Sequence, residues 1–374
     1  MSTDDAERLK ARVDRVAAAL EESSVDVLLV DSPFDIRYLS GFTGSNGLVL
    51  VVGSVAAAKL GRHRFLTDFR YTSQSAEQVP DAFDRVIVTG ELLEGLGEQL
   101  GAGEWRLGFD ESRVTVKGHR RLEEVLPEGW RTVACSGAVE WLRAVKEPAE
   151  VERMRAAAAL ADEALTAVLE GGLAGRSERE VALDLEVRMR RLGAQAPSFG
   201  SIVASGAHGA LPHAEPRGEL IARDVLVTID WGAQLDGYCS DCTRTYATGE
   251  GISELAREIY ALVLDAQEMG VATVRPGISG REVDAIAREV IERAGHGEHF
   301  GHGLGHGVGM EVHEAPRLSR LASEQPLVAG NAVTVEPGVY LPGELGVRIE
   351  DLLVLGDDSQ DVLTSLSKAL TVVS

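Results

Sequence analysis

Cysteine is scarce in this chain: Cys135, Cys239 and Cys242 are the three it has in 374 residues. They are too few and too scattered for a disulfide framework, which fits a reducing compartment. Long apolar runs are missing as well. No stretch approaches the about 20 residues that a membrane-crossing helix requires, so a membrane is not an expected partner. The opening Met1-Ser-Thr-Asp-Asp-Ala-Glu-Arg-Leu-Lys brings acids early and lacks the apolar core of a secretory signal, so the expected location is cytoplasmic. Positive charge is also in short supply. Against 59 acidic side chains stand 37 Lys and Arg, a formal net charge of −22. Such a field repels phosphate backbones and anionic membranes, which argues against nucleic acid as a partner.

What is present is a globular composition, 44% hydrophobic and 26% charged. The chain is too long for one ordinary core, so two domains are expected. Apolar residues recur at helical spacing over residues 4–21, and residues 25–30 and 48–52 read as short buried strands. Residues 64–70, 84–89 and 106–110 add strands, which makes the first 135 or so residues an α/β domain. The boundary falls between Cys135 and Pro148, giving domains of residues 1–140 and 141–374, and Pro148 suits the first turn of the Ala-rich helix that follows.

The second domain repeats itself. Gly175-Arg-Ser-Glu-Arg-Glu-Val matches Gly277-Ile-Ser-Gly-Arg-Glu-Val, and Arg191 and Gly193 match Arg293 and Gly295. Ser177 with Glu180, and Ser279 with Glu282, are capping boxes that open a helix in each copy, and Gly193 or Gly295 suits its end. The strands that follow correspond too. Asp224-Val-Leu-Val-Thr-Ile-Asp230 parallels Asn331-Ala-Val-Thr-Val-Glu336, each closing on a carboxylate. A duplicated half of two helices and then strands puts acids in equivalent places and leaves a cleft between the copies.

Asp236-Gly237 favours a tight hairpin, and in that register Asp230 lies opposite Thr243 with Asp241 as its diagonal neighbour on the same face. Two carboxylates that converge repel unless a cation sits between them. Glu336 and Glu350 repeat the device in the second half, each costly to bury alone. Arg348, two positions before Glu350, is expected either to orient that carboxylate, to meet the substrate or to form an ordinary ion pair. The segment Phe300-Gly-His-Gly-Leu-Gly-His-Gly-Val-Gly-Met-Glu-Val-His-Glu concentrates histidine and glycine, the glycines admitting close backbone approach to a bound species. One of its imidazoles would complete a metal shell, and spacing alone does not choose among His302, His306 and His313. Four carboxylates and an imidazole are a mostly hard donor set that suits Mn²⁺ or a similar divalent ion, with Co²⁺ and Zn²⁺ as alternatives. Two such ions about 3.5 to 4 Å apart share bridging carboxylates, acidify water and polarise a carbonyl, which is equipment for hydrolysis. Cys239 and Cys242 form a C-x-x-C pair, a pattern of zinc or redox sites. It sits in a strand-like run where residues three apart face opposite ways, so two ordinary thiols are the better reading.

The strings Asp230-Trp-Gly-Ala, Gly237-Tyr-Cys-Ser-Asp-Cys-Thr-Arg-Thr, Gly305-His-Gly-Val-Gly-Met-Glu-Val-His-Glu-Ala-Pro, Thr334-Val-Glu-Pro-Gly and Arg348-Ile-Glu-Asp resemble the Xaa-Pro peptidases of the M24 methionine aminopeptidase and creatinase superfamily. Gly41-Phe-Thr-Gly-Ser-Asn-Gly and Thr67-Asp-Phe-Arg-Tyr look like its creatinase-type N-terminal domain. The resemblance implies an α/β (α+β) protein with a C-terminal pita-bread fold, and a homodimer. It makes Asp230 a ligand of one metal ion, His306 and Glu336 ligands of the other, and Asp241 and Glu350 bridges. It also makes Glu336 the general acid/base, and has His213, His302 and His313 bind substrate and steady the tetrahedral intermediate. The activity it implies is removal of the residue before a penultimate proline from peptides. An aminopeptidase P comes first and an Xaa-Pro dipeptidase restricted to dipeptides is the alternative. A creatinase-like C–N hydrolase and a non-catalytic binding protein are disfavoured by five intact ligand positions. Departures are confined to the two thiols and to Leu366-Ser-Lys-Ala-Leu in place of a proline-containing ending.

Overall fold

Residues 3–374 are described in the structure, a computed structural model whose chain divides into two compact units, Met1–Arg143 and Ala144–Ser374. The first unit holds six strands, β1 (Val27–Val30), β2 (Gly47–Val52), β3 (His63–Asp68), β4 (Phe83–Val88), β5 (Trp105–Asp110) and β6 (Trp130–Cys135). They form one sheet in the order β4-β3-β2-β1-β5-β6. β2 runs antiparallel to β1 and β3, and the remaining pairs are parallel. All four residues of β1 are buried, because elements cover both faces of this central strand, and it therefore lacks a period-two pattern. The helix Thr3–Ala19 turns Leu9, Val13 and Val16 inward at spacings of four and three. β3 stops short of the 64–70 run because the Asp68 carboxylate accepts the Arg70 N–H at 3.0 Å and starts the turn Phe69–Tyr71. β6 is an edge strand with little hydrophobic contrast between its faces, which is why its pattern alone did not call for a strand.

In the second unit each half supplies two helices and then strands. The first half has helices Pro148–Leu169 and Glu178–Leu192, followed by β7 (Ala196–Pro197), β8 (Ile202–Ser205), β9 (Leu226–Trp231), β10 (Ala233–Leu235), β11 (Tyr238–Cys239) and β12 (Cys242–Ala247). The second has helices Glu254–Thr273 and Gly280–Arg293, followed by β13 (Gly305–Gly307), β14 (Glu314–Leu318), β15 (Ala332–Val335), β16 (Gly338–Leu341), β17 (Leu345–Arg348), β18 (Asp351–Leu355) and β19 (Gln360–Val362). Pro148 occupies the first turn of its helix, and Ser177–Glu180 and Ser279–Glu282 are reciprocal capping boxes. Gly193 (φ 115°) and Gly295 (φ 85°) turn left-handed where the two matched helices end. Each half has its own apolar core, one around Leu165, Val181, Leu185 and Ile229, the other around Val263, Val283, Ile291 and Val335. This is the pseudo-symmetric pita-bread arrangement that the internal repeat anticipates. No helix among the described residues is long and apolar enough to cross a membrane.

Candidate active site

The strand ladders of the two halves bring the acids together. Asp236 (φ 48°) and Gly237 (φ 79°) make the two-residue left-handed turn that joins β10 to β11, with Leu235 opposite Tyr238. Across β9 and β12, Thr243 stands opposite Asp230, and Asp241 immediately precedes β12. From the second half, Glu336 follows β15, Glu350 lies between β17 and β18, and β13 carries His306. The halves are tied at this point, since the Glu350 N–H donates to the Thr243 carbonyl at 3.1 Å. Ligand atoms of Asp241, His306 and Glu350 lie within 4.8 Å of one another. His306 Nε2 is 3.3 Å from Glu336 Oε1 and 3.6 Å from Asp241 Oδ2.

This crowding leaves a large excess of negative charge. Burial pushes the Asp230, Asp241 and Glu350 carboxyls up, and the last two go well above the usual range because neighbouring carboxylates repel their charge. Glu336 goes the other way. Burial alone would raise it, but the hydrogen bond and charge of His306 hold it down to about 2. His306, which burial would lower, is raised by the same contact. Arg348 supplies the main compensating charge, its Nη2–H donating to Asp230 Oδ2 at 2.7 Å. The other oxygen, Asp230 Oδ1, is buried and has no hydrogen-bond partner. A buried carboxylate oxygen without a partner, amid hard donors that repel one another, fits divalent cations.

The sequence left the choice among three histidines open, and each has a different environment. His306 faces the acids, as given above. His302 donates Nδ1–H to the Gly303 carbonyl at 2.8 Å, while its Nε2 is 2.9 Å from the Tyr340 hydroxyl. That hydroxyl also accepts from Arg348 Nη1 at 2.9 Å. His313 is exposed and packs its ring 4.2 Å from that of His306, and burial of its inner edge followed by the charge of His306 pushes it down. His213 is exposed on the loop after β8 and is near enough to His313 to contribute to that shift. Arg348 turns to Asp230 rather than to Glu350. Glu350 lies beyond the end of β17, so the alternation that would put positions 348 and 350 on one face does not extend to it.

Three hydroxyls complete the setting, and none stood out in the sequence. Thr243 Oγ1 donates to Glu350 Oε2 at 2.7 Å and accepts from Arg348 Nε at 3.0 Å. Thr334 Oγ1 accepts the His306 N–H and donates to Glu336 Oε1, both at 3.1 Å. Tyr340 links His302 to Arg348. Thr243 was within reach of sequence reasoning because the hairpin register puts it opposite Asp230. The glycines around His306 admit neighbouring backbone: a methyl at Gly305 would collide with the Thr334 carbonyl, and one at Gly307 with that of Ala315. Cys239 and Cys242 are separate buried thiols that contact the Met310 and Glu350 carbonyls, at 3.6 and 3.5 Å.

Carboxylates and an imidazole that converge from two matched halves define a metal-dependent hydrolase of pita-bread type. Comparison with known proteins narrows this. Residues 152–357 match the model of metallopeptidase family M24, and residues 12–145 match that of the creatinase/prolidase N-terminal domain. The chain belongs to metallopeptidase family M24. It is 33% identical over 367 residues to an Xaa-Pro dipeptidase of Pyrococcus furiosus, with 97% of this chain and 100% of that protein covered. Among solved structures, an Xaa-Pro dipeptidase from Bacillus anthracis superposes with a TM-score of 0.91 at 38% identity, covering 97% of this chain and 99% of that one. An X-Pro aminopeptidase from Thermotoga maritima gives 0.86 at 33% identity, covering 97% and 100%.

Proposed function

We propose that this protein is an Xaa-Pro dipeptidase that works with two divalent ions, Mn²⁺ ahead of Co²⁺ and Zn²⁺. The observation that carries the reading is the cluster of Asp241, His306 and Glu350 beside the partnerless Asp230 Oδ1. Asp230 would hold one ion, His306 and Glu336 the other, and Asp241 and Glu350 both. Ions bound there supply a Lewis acid for the scissile carbonyl and make water more acidic. The chain's own groups do the rest. Glu336, held ionised beside His306, takes the proton from attacking water and passes it to the proline nitrogen, a tertiary amide with no N–H of its own. His313 and His213 donate hydrogen bonds to the substrate carbonyl and the tetrahedral intermediate, and His302, whose Nδ1–H is held by the Gly303 carbonyl and whose Nε2 meets Tyr340, binds substrate beside them. Arg348, with its donors on Asp230, Thr243, Tyr340 and Pro212, orients Asp230 rather than meeting substrate. Residues 1–140 form the creatinase-type domain, 141–374 the catalytic one, and the resemblance supports a homodimer. Three cysteines without disulfides suit the cytoplasm.

Sequence reasoning put aminopeptidase P first. The relatives favour its alternative, and so does Arg317. Arg317 stands opposite His306 in the ladder, and its charge is near enough to His313 to help lower that imidazole. A dipeptide carries its C-terminal carboxylate one residue beyond the scissile bond, and a guanidinium there would select it. The test strips metal with chelator, restores Mn²⁺ and follows proline release from an Xaa-Pro dipeptide beside N-terminal release from an Xaa-Pro-Xaa tripeptide. Metal-restored cleavage of the dipeptide alone is expected. Equal cleavage of both returns the aminopeptidase, and metal-independent or absent turnover of both overturns the peptidase reading.

A further inference from the structure

Glu178 stands outside the carboxylate cluster, at the first position of the helix Glu178–Leu192, and its side chain is 0% exposed. An acid in a first helical turn ordinarily complements the helix dipole at the surface. This one is enclosed by five donors drawn from a single segment. Oε1 accepts the Ser205 N–H and Oγ–H, both at 2.8 Å. Oε2 accepts from His208 Nδ1 at 2.9 Å, the Arg217 N–H at 3.1 Å and Arg217 Nε at 3.3 Å. Burial alone would raise the carboxyl, but the main-chain bonds from Ser205 and Arg217 lead the interactions that hold it below its ordinary range.

These donors flank His213 on both sides in the chain. Between them the segment rests on β17, where a methyl on Gly346 would collide with the Gly209 carbonyl. Arg348 Nη1 holds the Pro212 carbonyl at 3.2 Å. The loop is thus fastened at 205–208, at 212 and at 217, and the exposed imidazole of His213 sits one residue from the middle fastening.

We propose that Glu178 is the positioning residue for His213: by gathering Ser205, His208 and Arg217 onto one carboxylate it fixes the loop that presents this imidazole to the substrate. The proposal rests on His213 being a substrate-binding group of the Xaa-Pro peptidase. Placing a hydrogen-bond donor within a fraction of an ångström is where such fastening acts, and a displacement of about 1 Å is worth on the order of a hundredfold in rate.

The test is a double-mutant cycle of Glu178→Gln and His213→Ala in the full-length, Mn²⁺-loaded protein. Glu178→Gln keeps the shape, removes the charge and turns one acceptor into a donor. It is expected to lower kcat/KM on an Xaa-Pro dipeptide by on the order of ten- to a hundredfold, to leave Mn²⁺ affinity unchanged, and to have no further effect once His213 is Ala. Trypsin cleavage after Arg217 should become several-fold faster, a readout that needs no activity. Losses that multiply in the double variant overturn the proposal, as does a Glu178→Gln enzyme with wild-type kcat/KM. Ser205→Ala, which removes one donor, repeats the cycle should Glu178→Gln not fold. If the wild-type protein cleaves no Xaa-Pro substrate, the functional reading falls, and unchanged cleavage after Arg217 would then dispose of the positioning role as well.

Discussion

Protons and divalent ions compete for the same atoms in this centre, so metal binding should depend steeply on pH. Burial and mutual repulsion hold Asp241 and Glu350 well above the ordinary carboxylate range, and His306, which burial would lower, is raised by Glu336. A group whose folded-state pKa is raised contributes stability that is fully present below its unfolded pKa and is lost as pH rises through the folded value. The metal-stripped protein is therefore expected to lose stability as pH climbs from the carboxylate range towards neutrality. Metal binding must displace the protons that Asp241 and Glu350 hold, and with about two released the logarithm of the metal affinity rises by about two per pH unit. Each pH unit over which both protons are displaced is therefore worth about two decades of affinity, or about 3 kcal/mol. For a protein of this size the metal-induced rise in Tm should grow with pH, by on the order of several degrees for each such unit. Thermal unfolding of stripped and Mn²⁺-loaded protein across pH reads the shift, and a pH-stat titration counts the protons. A rise in Tm that is the same at every pH, with no protons released, would refute the electrostatic reasoning.

Thr243→Val removes the hydroxyl between Glu350 and Arg348, and titration calorimetry should find Mn²⁺ bound about 10- to 100-fold more weakly; unchanged affinity would leave the hydroxyl without a role at the metal. Ser177→Ala and Ser279→Ala each break one of the matched capping boxes, and each should cost about 1 kcal/mol in denaturant unfolding. A cost confined to one half would mean that the two helix starts are not energetically equivalent. Burial pushes the Cys239 thiol up to about 11 and the Cys242 thiol well above its ordinary value, so a disulfide-exchange reagent at about pH 8 should label the native protein at Cys135 at most and all three thiols after unfolding. Rapid native labelling of Cys239 or Cys242 would refute their placement in the ladder.

Much of the carboxylate cluster is legible in the sequence because it depends on local rules. A two-residue left-handed turn at Asp236-Gly237 fixes the β10–β11 register, and Asp230 opposite Thr243 follows along the connected ladder. The capping boxes and the strands that end in Asp230 and Glu336 are likewise local, and duplication supplies the second copy. What stayed hidden depends on where one half meets the other. His302, His306 and His313 share a segment, and they differ by what the rest of the unit brings against them: Tyr340 to the first, the acids to the second, open surface around the third. No spacing within the segment encodes that.

Arg348 and Glu178 show the same limit from the side of charge. Position 348 read as a neighbour of Glu350 because strand alternation is the rule available to a sequence, but β17 ends before Glu350 and the guanidinium spans to Asp230 in the other half. Glu178 lies at a helix start, between the two capping-box residues that the sequence singles out, while its partners lie 27 to 39 residues on, around His213. Both belong to one chain of contacts. Arg348 grips Asp230 on one side and the Pro212 carbonyl on the other, and Glu178 anchors the same loop from beneath. A change at Arg348 should therefore disturb metal and His213 together, whereas a change at Glu178 should disturb His213 alone. That difference separates the residue that joins the two parts of the site from the residue that serves one of them.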